Sequence, residues 1–329
     1  MDTLMNLFGA AVLAGTPLLL GMLGEILTQK SGHLNLGLEG TMYMGAAMSL
    51  AGAYYYEQWV TAAGGAASGF VACLFATGAA FLIGVLASLL YCFLTATLRA
   101  DQNVTGLVLA IFGSGFGNFF GELMGIGAGG YVTVGAATKA AFANPAFPSL
   151  AALPVVGKLL FGYNWMVYLG VAVALAMAWF LNHTRAGLNL RAVGENPATA
   201  DAAGIHVTKY KYAATCIGGG ISALGGMYIS MVNTGGVWVH DCVSGKGWIA
   251  VALVIFATWS PARGLFCALI FGGLSIMRMY VPVPGLPMEI YELLPYVATV
   301  LVLIFTSIRQ SREHAQPRAC GTNYFREER

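Results

Sequence analysis

Apolar runs of roughly 20 residues, the length that carries an α-helix across a bilayer, recur from one end of this chain to the other. They are read as Leu4 to Leu27, Thr41 to Tyr56, Phe70 to Leu98, Asn103 to Met124, Trp165 to Leu181, Tyr212 to Met231, Trp248 to Trp259, Gly264 to Tyr280 and Ile290 to Ile308. The run from Trp248 is short and needs a continuation or a re-entrant piece. The two-residue alternation of a membrane barrel is absent. Of the residues, 58% are hydrophobic and 9% charged, and mean hydropathy is +0.73. Soluble domains carry about 25% charged residues, so they are excluded. The expected fold is all-α: a polytopic membrane helical bundle of about nine transmembrane helices, within a range of eight to ten.

The 44 glycines fit close helix packing and helices broken beside a pathway. One such break is expected at SGHLNLGLEG, between the first two spans. Asp2 stands where a secretory signal would carry Lys or Arg, so the first apolar run is read as a retained span. Cys73, Cys92, Cys216 and Cys267 fall inside apolar runs as small hydrophobes, and the cysteine spacing predicts neither a disulfide framework nor a metal site.

Orientation follows from Lys and Arg near the span ends. Arg185, Arg191, Lys209 and Lys211 flank a central insert, and Arg309, Arg312, Arg318, Arg326 and Arg329 fill the tail. An even number of spans separates these clusters, so both are expected in the cytoplasm, with Lys30, Arg99 and Arg263. Residues 1–308 form the transmembrane domain, with a cytoplasmic insert at 185–211 and an extracytoplasmic loop at 125–163. Residues 309–329 form a cytoplasmic C-terminal tail. The stretch NTGGVWVHDCVSGKG is placed on the far side with the 125–163 loop.

Within the insert, Asn196 is a good N-cap, Pro197 suits the first helical position, and Gly204 can adopt the left-handed conformation that ends a helix. A short helix from Pro197 to Ala203 is predicted. Its small side chains suit it to lie against another protein, although a plain loop between spans fits the same residues.

Several motifs carry no chemistry. Gly125, Gly127 and Gly130 match GxGxxG without the strand and acidic residue of a dinucleotide site, and no phosphate loop occurs. If ATP drives this protein, another chain must bind it. His240, Asp241 and Cys242 are adjacent, whereas a catalytic triad is defined by spatial geometry, so a polar extracytoplasmic loop is the simpler reading. His33 and Glu39 are polar residues at the helix break. The spans carry few ionisable groups, namely Glu25, Glu122, Arg278, Glu289 and Glu292. They carry instead Asn103, Thr105, Ser114, Asn118, Ser222, Ser230 and Asn233, which suit a polar, uncharged solute or hydrogen-bond helix to helix.

SGHLNLGLEGTMYMGAA resembles the G-x-x-N-[IL]-G-x-E-G signature of permease subunits of bacterial ABC importers in the branched-chain amino acid, ribose and nucleoside group. DQNVTGLVLAIFG and RAVGENPATADAAGI resemble a later span opening and the cytoplasmic coupling segment of that group. GKGWIAVALVIFATWSPARGLFCALIFGG is most similar to its nucleoside and simple-sugar subgroup. The chain differs from the ten-span sugar permeases in having little room for a span before Leu4.

The resemblance implies a multi-pass inner-membrane permease with a cytoplasmic C-terminus, importing a nucleoside or simple sugar by alternating access. It implies an ABC ATP-binding subunit, an extracytoplasmic solute-binding protein and a second permease, self or sister, in the bilayer, and no nucleic acid. The chain itself is then no enzyme and holds no cofactor, ATP and Mg belonging to the partner. Arg191, Gly194, Glu195, Asn196, Pro197 and Gly204 become the segment coupled to the ATPase, and Asn35, Glu39, Asn103, Asn118, Asn233 and Trp248 candidates for the solute path. An ion-coupled secondary transporter would need midplane carboxylates that are scarce here, and a membrane-embedded enzyme would need more than the His240–Cys242 triplet.

Overall fold

The computed structural model describes residues 2–151, 153, 156–280, 287–308 and 315–325. The tail cations Arg309, Arg312, Arg326 and Arg329 lie outside the described residues. The order of elements is α1 (Asp2–Lys30), α2 (Leu38–Ala62), α3 (Gly69–Cys92), α4 (Gln102–Gly127), the short α5 (Ala136–Ala143) and α6 (Pro148–Ala151), α7 (Trp165–His183), α8 (Arg185–Glu195), α9 (Pro197–Ala202), α10 (Val207–Tyr228), α11 (Lys246–Phe256), α12 (Pro261–Tyr280) and α13 (Met288–Ile308). π-Helical turns at Phe93–Thr97 and Ile229–Asn233 extend α3 and α10, and a third lies at Gly157–Phe161. The only isolated β-bridge among the described residues pairs Thr133 with Val237.

Every apolar run read from the sequence coincides with a helix. Among the described residues, five segments are long and apolar enough to cross a bilayer: Met5–Lys30, Gly69–Thr97, Gln102–Gly127, Trp165–His183 and Val207–Asn233. Residues 125–163 carry α5 and α6, so this stretch is less irregular than its composition suggested. The 185–211 insert holds one helix more than expected, because α8 precedes the predicted one.

α1 and α10 form the core. α1 packs most extensively on α12 and α10, α10 on α3 and α2, and α2 on α3 and α4. At Gly24 a Cβ would stand 2.1 Å from the Gly218 carbonyl oxygen, so only hydrogen lets α1 and α10 touch backbone to backbone. Without water to drive association, such close approach is what holds membrane helices together. The outer faces of α3, α4, α7 and α12 expose Leu82, Ile111, Trp179 and Phe266, as lipid-facing surfaces would.

Candidate functional site

Two helices begin inside the bundle. After α1, residues 31–37, with turns at both ends, lie beside the start of α4: the Leu34 N–H donates to Gln102 Oε1 at 2.9 Å, and Tyr91 Oη donates to the Leu34 carbonyl at 2.7 Å. The Asn35 N–H reaches Glu25 Oε1 at 3.3 Å, and Asn35 Oδ1 accepts from the Gly37 N–H at 2.9 Å. Gly40 then abuts the Leu109 and Ala110 carbonyls. At 1.5 Å per residue, α2 therefore starts roughly 10 Å beyond the start of α4.

The second break descends from the opposite end. Residues near 237 are pinned to the 125–163 region by Val134 N–H to the Gly236 carbonyl and Trp238 N–H to the Val132 carbonyl, both 3.0 Å. His240 Nδ1 then meets Asn118 Oδ1 at 3.2 Å, and the Asp241 N–H donates to Tyr43 Oη at 3.0 Å. Tyr43 in turn donates to Asn118. Asp241 and Ser244 hold φ of 51° and 50°, a left-handed conformation that costs an L-residue roughly 1 kcal/mol. The descent ends where α11 starts, with Glu39 Oε1 accepting the Gly245 N–H at 2.8 Å and Oε2 the Gly247 N–H at 2.6 Å. A carboxylate at that point satisfies amides that no preceding turn can reach and complements the helix dipole. At its far end, α11 is tied to α1 through Trp259 Nε1, which donates to Gln29 Oε1 at 2.6 Å, and Gln29 Nε2, which donates to Glu25 at 2.9 Å.

His240, Asp241 and Ser244 are exposed, as the polar-loop reading expects, and the stretch is tied to the bundle at Asn118, Tyr43 and Glu39. The triplet does not act as a triad, since His240 faces Asn118 and, at 4.0 Å, Glu122. Glu122, His240, Trp238 and Tyr131 line a cavity of about 430 Å³ beside this stretch. Trp238 Nε1 is buried there without a partner among the described residues.

Of the candidate path residues, Glu39, Asn118 and Trp248 fall along this line, Trp248 being 42% exposed in the first turn of α11. Asn35 braces its neck. Asn103, in the first turn of α4, and Asn233, closing a π-helical turn, are exposed and stand apart. Tyr43 and Trp238 escaped sequence reasoning, because an aromatic residue in an apolar span carries no signal distinguishing a path from a core.

At the end carrying Lys30, Arg99 and Arg191, α8 and α9 form an elbow. Thr184 caps α8 by accepting the Gly187 N–H at 3.0 Å, and Asn196 Oδ1 caps α9 by accepting the Thr199 N–H at 3.1 Å. Gly204 has φ of +82°, as its helix-ending role requires. Val193, Ala200 and Val207 are buried beneath the elbow, leaving Glu195, Asn196, Thr199 and Gly204 exposed at its tip. Gly194 is buried and Arg191 half-buried.

Residues 315–325 strap this end together. The Ala319 N–H donates to the Gly194 carbonyl at 3.0 Å, and Cys320 Sγ to the His33 carbonyl at 3.5 Å. Gln102 Nε2 donates to the Thr322 carbonyl at 3.0 Å. Asn323 Nδ2 donates to the carbonyls of Arg99 and Ala100 at 2.7 and 2.9 Å, and Tyr324 Oη to Asp201 Oδ2 at 2.8 Å. The strap therefore joins the elbow, the first helix break and the α3–α4 turn.

Comparison with known proteins adds the family. The profile described as "Branched-chain amino acid transport system / permease component" matches residues 6–303. A putative glucose ABC transporter permease protein of Haloferax volcanii is 33% identical, covering 98% of each chain. A nucleoside ABC transporter permease protein of Lactococcus lactis is 31% identical over 99% of this chain and 98% of its own. A guanosine ABC transporter permease protein of Bacillus subtilis is 33% identical over 89% of both.

Proposed function

The chain belongs to the branched-chain amino acid transport system permease-component family, and from that premise we propose that it imports a nucleoside or simple sugar, driven by a separate ATP-binding subunit. The observation that carries this reading is the meeting of two helix starts at Glu39 inside the bundle, with an exposed, capped elbow at the basic end. Broken helices whose ends converge within the bilayer give a transporter polar backbone without exposing it to lipid. The excess of Lys and Arg at the elbow end supports placing it, with its C-terminal strap, in the cytoplasm.

Solute handed over by an extracytoplasmic binding protein would enter at Trp238 and Glu122 and pass Asn118 and Glu39. These aromatic and hydrogen-bonding groups suit a base or sugar ring, and the named relatives transport such solutes. On the cytoplasmic side, Glu195, Asn196, Pro197 and Gly204 would enter an ATPase cleft, while Gly194 and Arg191 anchor the elbow from behind. The drive must come from a difference in ATPase affinity for the two permease states, since equal affinity shifts nothing. A second permease, identical or sister, would close the path across the exposed face of Trp248.

Reconstitution in proteoliposomes tests this reading. Uptake of a radiolabelled nucleoside or hexose should require the ATP-binding subunit, ATP and binding protein together. Uptake driven by an ion gradient alone would assign the chain to secondary transport, and product formation without uptake would assign it to catalysis.

A further inference from the structure

The cavity of about 430 Å³ beside Trp238 has one polar corner and otherwise apolar walls. Glu122 and His240 form the corner, and Ile126, Val132, Trp238 and the ring of Tyr131 form the walls, with glycine backbone between them. The Trp238 indole lies against α4, where a Cβ at Gly121 would stand 2.0 Å from its Cε2. Tyr131 is 87% exposed, so its ring stands uncovered.

The hydrogen positions at the corner follow from its partners. Tyr43 Oη accepts the Asp241 N–H at 3.0 Å, so its own hydrogen goes to Asn118 Oδ1. That oxygen can only accept, so His240 Nδ1, 3.2 Å from it, carries the imidazole hydrogen. In the neutral ring Nε2 is then a bare acceptor, and it faces the Glu122 carboxylate, also an acceptor, at 4.0 Å. Neither group can bond the other, and neither receives a hydrogen bond from elsewhere among the described residues. Their side chains are 54% and 68% exposed, so a solute can reach both. Two acceptors side by side at the edge of a cavity call for a ligand with two adjacent donors.

Adjacent hydroxyls on a sugar are such donors, and the rest of the cavity decides which sugar. A hexose carries hydroxyls around its whole ring, and each one turned to an apolar wall would lose its water without gaining a partner. A ribonucleoside carries two adjacent hydroxyls at one end and, at the other, a flat base whose faces stack on aromatic rings. We propose that this cavity recognises a ribonucleoside, its 2′- and 3′-hydroxyls donating to Glu122 and His240 and its base stacked on Tyr131 and Trp238. The proposal rests on the import reading above and narrows its two solute classes to one.

Equilibrium dialysis of radiolabelled adenosine against the full-length chain in mild detergent tests this, with 2′,3′-dideoxyadenosine and glucose as competitors. Adenosine should bind roughly tenfold or more tighter than the dideoxy analogue, the order that hydrogen bonds to a charged acceptor give, and glucose should not displace it. Glu122→Ala should remove most of that preference by weakening adenosine alone, with the affinity of the dideoxy analogue unchanged. His240→Phe, which keeps a ring and loses the acceptor, should reduce the preference in the same way and serves as the test if Glu122→Ala does not fold. Equal affinity for the two nucleosides, no saturable adenosine binding, or a preference intact in either variant would overturn the proposal, the last leaving Glu122 and His240 as a structural pair. Displacement of adenosine by glucose at equal concentration would overturn it too, while leaving the import reading standing. That reading fails separately, in the ATP dependence of uptake.

Discussion

Glu39, in the first turn of α2, accepts the backbone N–H of Gly247, in the first turn of α11, at 2.6 Å. The two helices are separated by most of the chain, and their positive ends converge on one carboxylate, which both dipoles favour. Glu39→Gln removes that charge and one acceptor; losing a charge-assisted bond costs about 1.5–3 kcal/mol. The complex should still assemble, with uptake lowered severalfold. Gly247→Ala should do the same by another route, since a Cβ there would stand 2.5 Å from the Glu39 Cα. Normal uptake in both variants at normal expression would leave Glu39 as a structural cap alone.

The strap predicts a long-range effect. Asn323→Ala deletes two bonds to the α3–α4 turn, each worth about 0.5–1.5 kcal/mol. Amide exchange should accelerate at residues 99–102 and also at 194–200, because the strap bonds to Gly194 and Asp201 as well. Acceleration confined to 99–102 would show that the strap transmits nothing to the elbow.

Acid should weaken the junction under the strap. Burial keeps the His33 imidazole well below its ordinary 6.5, and the nearby Lys211 ammonium acts in the same direction. As pH falls through 6.5, the unfolded chain takes up a proton that the folded chain refuses. Stability is therefore complete above about 6.5 and declines below it by at most ~1.4 kcal/mol per pH unit. Thermal midpoints in detergent at pH 7.5 and 5.5 should differ less in His33→Asn than in the parent. An equal difference in both would remove His33 as the cause.

Sidedness can be read from single cysteines in a Cys-free background. Gln316→Cys and Thr199→Cys are both exposed at the basic end, and Tyr131→Cys, 87% exposed, is at the other. In intact cells an impermeant thiol reagent should label position 131 and spare 199 and 316.

Much of this architecture was legible because lipid imposes a simple rule on span length. The α9 cap was legible too, since Asn196, Pro197 and Gly204 each have a local backbone reason to be where they are. α8 was missed because Gly187 and Gly194 weaken its helical signal; both glycines instead serve close packing, against the Phe180 and Lys30 carbonyls. The descent of the His240 stretch was hidden for a different reason. Its polar residues match a surface loop in composition and are exposed, and only partners on distant helices, Tyr43, Asn118 and Glu39, tie the stretch to the bundle. The strap was likewise invisible, because Asn323 and Tyr324 bond to carbonyls and a carboxylate more than a hundred positions away.

The elbow is the place where ATP hydrolysis on the partner subunit is proposed to couple to the helices. Gly204→Val puts a β-branched side chain at φ of +82°, and Asn196→Ala removes a cap worth roughly 1 kcal/mol. Neither touches the proposed path, whereas Asn118→Ala lies on that proposed path and leaves the elbow intact. The decisive measurement is ATPase activity of the reconstituted complex, with and without loaded binding protein, beside the amount of ATP-binding subunit retained. Gly204→Val and Asn196→Ala should lose stimulation or recruitment, and Asn118→Ala should keep recruitment while losing uptake. Wild-type recruitment and stimulation in a stably expressed Gly204→Val variant would contradict the account and make the elbow an ordinary connection between two spans.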